Sequence, residues 1–226
     1  MRPGTALSAR SVAPAIAVAG AVAMLRRQLL RGGATDQEVG LAPPGDELAT
    51  SAALAATRAI TIHADSSDVW PWIAQLGQGR GGFYSYDFLE NLVGCDIHSA
   101  DEVVPRWQQV DVGDEIRLAP QVALAVAVVE PGRALVLRGA VPMGQSPAPY
   151  DFTWAFVLCD APAGSTRLVV RERYGYLRWW APLLVEPVGV ISFVMSQRML
   201  RGIRQRAERA MPARLPAGPE HPRPAA

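Results

Sequence analysis

Residues 60–94 read ITIHADSSDVWPWIAQLGQGRGGFYSYDFLENLVG. Three elements follow one another in this run. Thr57–Ala64 (TRAITIHA) alternates as a strand, with Ile60 and Ile62 on one face and Thr61 and His63 on the other. Ser67 is placed to cap a helix running to Leu76, because a cap there puts Pro71 in the first turn, where its missing N–H costs nothing. Gly77 ends that helix. Tyr84–Val93 then predicts a second short helix with Phe88, Leu89, Leu92 and Val93 as its apolar side.

Downstream of Trp107 the period changes to that of strands. Glu115–Leu118 and Val122–Val129 are two, and Glu130-Pro131-Gly132-Arg133 is a turn returning the chain into Ala134–Arg138. Tyr150–Cys159 carries Phe152, Trp154, Phe156 and Leu158 on one face; Ala161–Ser165 turns the chain and Thr166–Tyr176 comes back. Short connections imply antiparallel pairing. Pro187–Ala210 closes the sequence's ordered part as a long helix, with Val188, Ile191, Met195, Met199 and Ile203 in one stripe. The predicted class is α+β: a curved antiparallel sheet around a long C-terminal helix, with two short helices after the first strand.

Working outward, residues 1–33 are an apolar N-terminal segment, 34–56 a polar linker over the surface, 57–210 the folded domain, and 211–226 a proline-rich disordered tail. Ser11–Leu25 is short for a spanning helix, which needs roughly 20 apolar residues, and it contains Pro14. An arginine pair stands where a signal peptide would need its small-residue cleavage site. Residues 11–30 therefore stay open as a membrane anchor, a surface helix or a disordered leader. The chain has 226 residues, half of them hydrophobic, and a formal net charge of +1. That supplies a substantial core and argues against a nucleic-acid partner. All basic residues are arginine, a bias of the kind a GC-rich bacterial coding sequence imposes. Cys95 and Cys159 form neither a disulfide framework nor a metal motif; free buried thiols in a cytoplasmic setting are expected, with no cofactor or metal.

From about Thr57 to Glu208 the chain resembles the START-like superfamily, also called SRPBCC, in its polyketide cyclase/dehydrase-like branch. The motifs that carry the resemblance are ITIHADSSDVWPWIAQLGQGRGGFYSYDFLENLVG, DIHSADEVVPRWQ, TRLVVRERY and MLRGIRQRAE. It implies a helix-grip fold: a sheet wrapped around the terminal helix, enclosing an apolar cavity for a lipid-like or polycyclic ligand. It brings no catalytic residue set with it. Binding of a hydrophobic small molecule is the expected function, and a cyclase or dehydratase the alternative.

The candidate ligand-binding residues are Phe83, Tyr84, Tyr86, His98, Trp154, Glu172 and Tyr174, and the candidate catalytic groups are His98 and Glu172. Phenols orient carbonyls and hydroxyls inside apolar cavities. Gly77, Gly79 and Gly82 fit G-x-G-x-x-G, but a helix rather than a strand precedes them, so a tight turn near the cavity mouth is the reading. Asp96, His98 and Asp101 could ligate a metal; a histidine bonded to a neighbouring carboxylate is the preferred account. Asp87 and Glu90 share a face of the second helix, as a solvated pair or in ion pairs with Arg80 or Arg106. On the last strand, Arg167, Arg171 and Arg173 alternate to one face, expected to meet solvent. Glu172 then points inward with Leu168, Val170 and Tyr174, where a carboxylate needs a partner. The row Ala123, Ala125, Ala127 is either a cavity floor or a surface for helix packing.

Overall fold

In the computed structural model, which describes residues 9–49, 51–140 and 147–210, the elements are α1 (Ala9–Arg31), α2 (Asp36–Gly40), β1 (Leu54–Ile62), α3 (Ser66–Ala74) and α4 (Asp87–Leu92), followed by β2 (Glu115–Ala119), β3 (Val122–Glu130), β4 (Ala134–Gly139), β5 (Tyr150–Ala161), β6 (Ser165–Tyr176) and α5 (Ala181–Ala210). Residues 211–226, read as a disordered tail, lie outside the described residues.

The longest pairing is the β5–β6 hairpin, in register from Tyr150↔Tyr176 to Ala161↔Ser165. The chain turns between them through Pro162–Gly164. β1 adds to the far side of β6, from Leu54↔Tyr174 to Ile62↔Thr166, and all pairs are antiparallel in the order β1-β6-β5-β4-β3-β2. α5 and α3 pack on one face of this curved sheet. Met199, Leu200, Ile203 and Ala207 of α5 join Val69, Trp72 and Ile73 of α3 over Ile62, Phe156, Leu168 and Val170. This is the helix-grip arrangement expected of the sequence.

Several local readings change. α3 begins at Ser66 behind an Asp65 cap, so Pro71 lies inside the helix rather than in its first turn. The apolar side of α4 faces out: Phe88, Leu89, Leu92 and Val93 are 40–81% exposed. Leu124 and Val126 of β3 go into the core while Ala125 is exposed, so the alanine row is no cavity floor. A register shift between Val126 and Val128 then sends Val128 to a small outer cluster with Val136 and Val157. Pro187 falls inside α5, which starts earlier than its stripe suggested. Both cysteines are free, but Cys95 is half-buried and Cys159 exposed.

The segment read as a surface linker is built into the fold. Thr35 and Glu38 form a reciprocal capping box at α2, and the chain from there to a 3-10 turn at Asp46–Ala49 lies across the outer face of β6. The arginine face of β6 is therefore not solvent. Arg167 meets Glu38 at 2.6 Å, and Arg171 is buried with Asp46 at 2.7 Å. Guanidinium groups satisfy several acceptors at once, which is why they hold an irregular segment that has few carbonyl partners of its own. α1 reaches the domain through its C-terminal end: Arg26 pairs with Glu186 of α5 at 3.0 Å, and Gly32 fits where a Cβ would strike Phe193. Val18, Val22, Met24 and Leu25 are exposed. Among the described residues, α5 is the one helix long and apolar enough to cross a membrane by length and composition.

Candidate functional site

Between the sheet and the first half of α5 lies a cavity of about 500 Å³. The sheet supplies Leu118, Phe152, Trp154, Glu172 and Tyr174, and α5 supplies Leu184, Val188, Ser192, Met195 and Met199. α4 and the loops on either side of it close a third side with Phe83, Ser85, Glu90 and Cys95. The aromatic side chains form two ring groups. Phe152 and Tyr174 rings lie 4.7 Å apart, Trp154 and Phe156 4.8 Å, and Phe83 and Trp154 5.9 Å. Such tilted pairs fix ring orientation beyond what burial alone does.

One polar cluster interrupts the wall. The Glu172 carboxylate accepts from Arg58 at 2.7 Å, from Ser196 at 3.1 Å and from Ser192 at 2.8 and 3.0 Å, and Tyr174 Oη donates to it at 3.5 Å. Arg58 and Glu172 side chains are 1% and 6% exposed, so the partner that an inward carboxylate needs is an inward arginine on the neighbouring strand. That arginine was missed. It shares the face of Ile60 and Ile62 by simple alternation, which is the signal that could have found it. Burial, and then the Glu172 charge, push the Tyr174 phenol well above its ordinary range, so it stays a neutral donor.

Of the candidate residues, Phe83, Trp154, Glu172 and Tyr174 come together on the cavity. Tyr84, Tyr86 and His98 do not. Tyr84 is a core residue whose hydroxyl donates to the Trp72 carbonyl at 3.0 Å; burial raises its phenol too. Its backbone sits against Gly202 of α5, where a Cβ would come within 2.2 Å of the Tyr84 carbonyl oxygen. Tyr86 lies in an outer groove with Arg198, 5.9 Å over its ring. The His98 side chain is 83% exposed, with Nε2 3.3 Å from Asp96, and Asp101 pairs with Arg206 at 2.8 Å. His98 thus cannot serve the cavity as base, and among the described residues no group of His, Cys, Asp and Glu could hold a metal ion. The glycine loop is a turn closed by paired bonds between Gly77 and Gly82, each 3.0 Å. Gly82 has φ +70° and packs where a Cβ would be 2.8 Å from Ser99 Cα, so glycine is required there for structure.

Glu90 is the residue that the sequence placed in solvent and the structure places on the cavity. Asp87, its neighbour on α4, accepts from the amide and hydroxyl of Ser99, each at 2.7 Å, while Arg80 donates to the carbonyls of Ala74 and Trp107. Glu90 is left to turn inward. Burial first, and the Asp87 charge second, push its carboxyl from the usual 4.5 up to about 7. The folded state then keeps a proton that the unfolded chain releases between these values, so stability falls as pH rises through the window. A full shift would correspond to about 3 kcal/mol, which water at the partly exposed mouth reduces to about 1–2 kcal/mol. Glu90→Gln should match the wild type near pH 4.5 and exceed it by that amount well above pH 7, read by urea denaturation at each pH. A constant difference across the range would show that Glu90 does not titrate in this way.

No family model matches the chain, and no curated protein does. Solved structures do. Protein MLL2253 from Mesorhizobium loti is 16% identical, with 69% of this chain and 98% of that one covered at a TM-score of 0.40. Norcoclaurine synthase from Thalictrum flavum is 13% identical over 74% and 93%, at 0.40. The di-domain ARO/CYC StfQ from the steffimycin biosynthetic pathway is 13% identical over 73% and 54%, at 0.42. Likenesses this loose leave the chemistry of this chain to be argued from its own residues.

Proposed function

We propose that the domain holds an apolar small molecule, lipid-like or polycyclic, in the cavity between the sheet and α5. The observation that carries this is the cavity itself: about 500 Å³, in the range of small-molecule sites, walled by aromatic and aliphatic side chains around one internally paired polar cluster. The alternative, a cyclase or dehydratase working through Tyr84, Tyr86 and His98, is weaker, since those side chains lie outside the cavity and the Glu172 oxygens are already engaged.

The test is saturable binding of a fluorescent apolar probe, with the space filled from two opposite walls. Leu118→Trp on the sheet and Val188→Trp on α5 each insert an indole into the cavity. Each should weaken the probe at least about tenfold while circular dichroism stays native, because lost apolar contact is worth about 1.4 kcal/mol or more per indole-sized exclusion. Unchanged affinity in both variants would place the probe elsewhere and end the proposal.

A further inference from the structure

Independently of what the cavity holds, we infer that the outward side of α5, flanked by α1 and α4, docks on the surface of an anionic lipid bilayer. Leu183, Val190, Ile191 and Val194 fall on one side of α5 and are 45–76% exposed. Trp179, just ahead of the helix, is 88% exposed, and Leu177 is exposed too. The same side of α5 continues as Arg198 and Arg201. α4 stands on one flank. Ser85, just ahead of it, donates to the Met195 carbonyl at 3.1 Å, and the Arg198 guanidinium lies over the Tyr86 ring. One groove thus brings the exposed Phe88 together with Arg198 and Arg201. α1 stands on the other flank. Its Arg26 meets Glu186 and its following Gly32 meets Phe193, so the two helices run side by side in the same direction. α1 continues about 25 Å ahead of Arg26, whereas α5 has only about 8 Å ahead of Glu186. It therefore projects, with Val18 exposed, beyond the end of α5 that Trp179 precedes.

Contiguous exposed apolar side chains mark a contact surface, and the charges around them decide the partner. Arg178, Arg198 and Arg201 pair with no carboxylate among the described residues. The carboxylates of α4 and α5 are taken. Glu186 pairs with Arg26 and Glu208 with Arg204, Asp87 accepts from Ser99, and Glu90 lines the cavity. A second copy of the chain would bring the same apolar stripe but no free carboxylate to these arginines. Lipid phosphates answer the arginines, and acyl chains answer the stripe. A tryptophan beside an arginine suits the depth of the headgroups. There the indole body is apolar, its N–H finds acceptors, and the arginine stem lies along apolar surface. α5 has the length and composition of a spanning helix, but Val185, Ser196, Met199 and Leu200 are buried in the domain. Only one side is free for lipid, so the helix lies in the interface rather than across it.

The test uses the full chain and vesicles of phosphatidylcholine and phosphatidylglycerol in which part of the lipid is brominated. α1 contains no tryptophan, so quenching of tryptophan fluorescence by the bromines reports the domain face and not α1 alone. The wild type should sediment with the vesicles and be quenched. Trp179→Phe should still sediment but lose most of the quenching. Arg198→Gln with Arg201→Gln should weaken binding about 10–30-fold and remove most of the preference over pure phosphatidylcholine, since each arginine at an anionic surface is worth about fivefold. Ile191→Glu with Val194→Glu should abolish the quenching at unchanged circular dichroism, both side chains being exposed. Sedimentation without quenching that depends on Trp179 would mean that α1 alone holds the chain, and would overturn the docking face. Failure to sediment would overturn it as well, and equal binding to pure phosphatidylcholine would overturn the anionic class. A dimer in solution that Ile191→Glu with Val194→Glu breaks would give the stripe to a second copy instead. No readout here uses a cavity ligand, so failure of docking leaves the cavity reading to the Leu118→Trp and Val188→Trp titrations.

Discussion

Replacing Arg58 with methionine should lower the unfolding free energy by about 3–5 kcal/mol, the range for removing one partner of a buried ion pair. The pair is as enclosed as any in this fold: side chains 1% and 6% exposed, nitrogen to oxygen 2.7 Å. Methionine has nearly the right volume, so little of the loss would come from a cavity. What remains is the Glu172 carboxylate, still bonded to Ser192 and Ser196 but without its cation. The decisive comparison is the double variant Arg58→Met with Glu172→Met. Two apolar side chains of similar size remove the desolvation problem, so the double variant should recover most of the stability lost in the single one. Urea denaturation reads both. A single variant within 1 kcal/mol of wild type on such a curve would show that water reaches the pair, and simple additivity of the two changes would show that the pair is not coupled.

The same residues show what the sequence makes legible. Alternation along TRAITIHA and TRLVVRERY puts Arg58 and Glu172 on the faces of Ile60 and Val170, and alternation is local, so either could be read inward. That they meet depends on β1 pairing with β6, more than a hundred residues away, and no local pattern records that register. Hairpins are the opposite case. β3–β4 and β5–β6 are joined by turns whose residues name them, and their bounds were read to within a residue or two. α4 misled because its four apolar residues look like a core stripe, whereas a helix of six residues is oriented by what holds it, here Asp87 on Ser99. Its polar side, Glu90, is the one turned to the cavity. Tyr84 and Tyr86 stand two apart in a loop with φ +55° at Tyr84, where no period tells which ring goes in. The outer segment had a readable sign, Thr35 with Glu38 three residues on, the pattern of a capping box.

Arg171→Met should cost about 3–4 kcal/mol, from hydrogen bonds to a charged group that have no substitute. Arg171 lies 4% exposed on the outer face of β6 and reaches five partners: Asp46 at 2.7 Å, Thr57 Oγ1 at 3.1 Å, and the carbonyls of Leu41, Glu38 and Val39 at 2.7, 2.7 and 3.0 Å. Three of these are backbone oxygens of residues 38–41, which the short α2 leaves without helical partners. The guanidinium is therefore the C-terminal cap of α2 as well as its anchor to the sheet. Losing it leaves Asp46 with Arg173 at 2.9 Å but strands the carbonyls. The change should be local in character. Amides of residues 35–49 should exchange with solvent much faster than in the wild type, while those of β5, paired on both sides, should slow or quicken only with global stability. Arg171→Lys tests the mechanism, since one ammonium cannot span five acceptors arranged around a planar fork, and it should rescue less than half the loss. Uniform acceleration across the whole sheet would mean that residues 35–49 unfold only with the domain, and that the anchor is no separate unit.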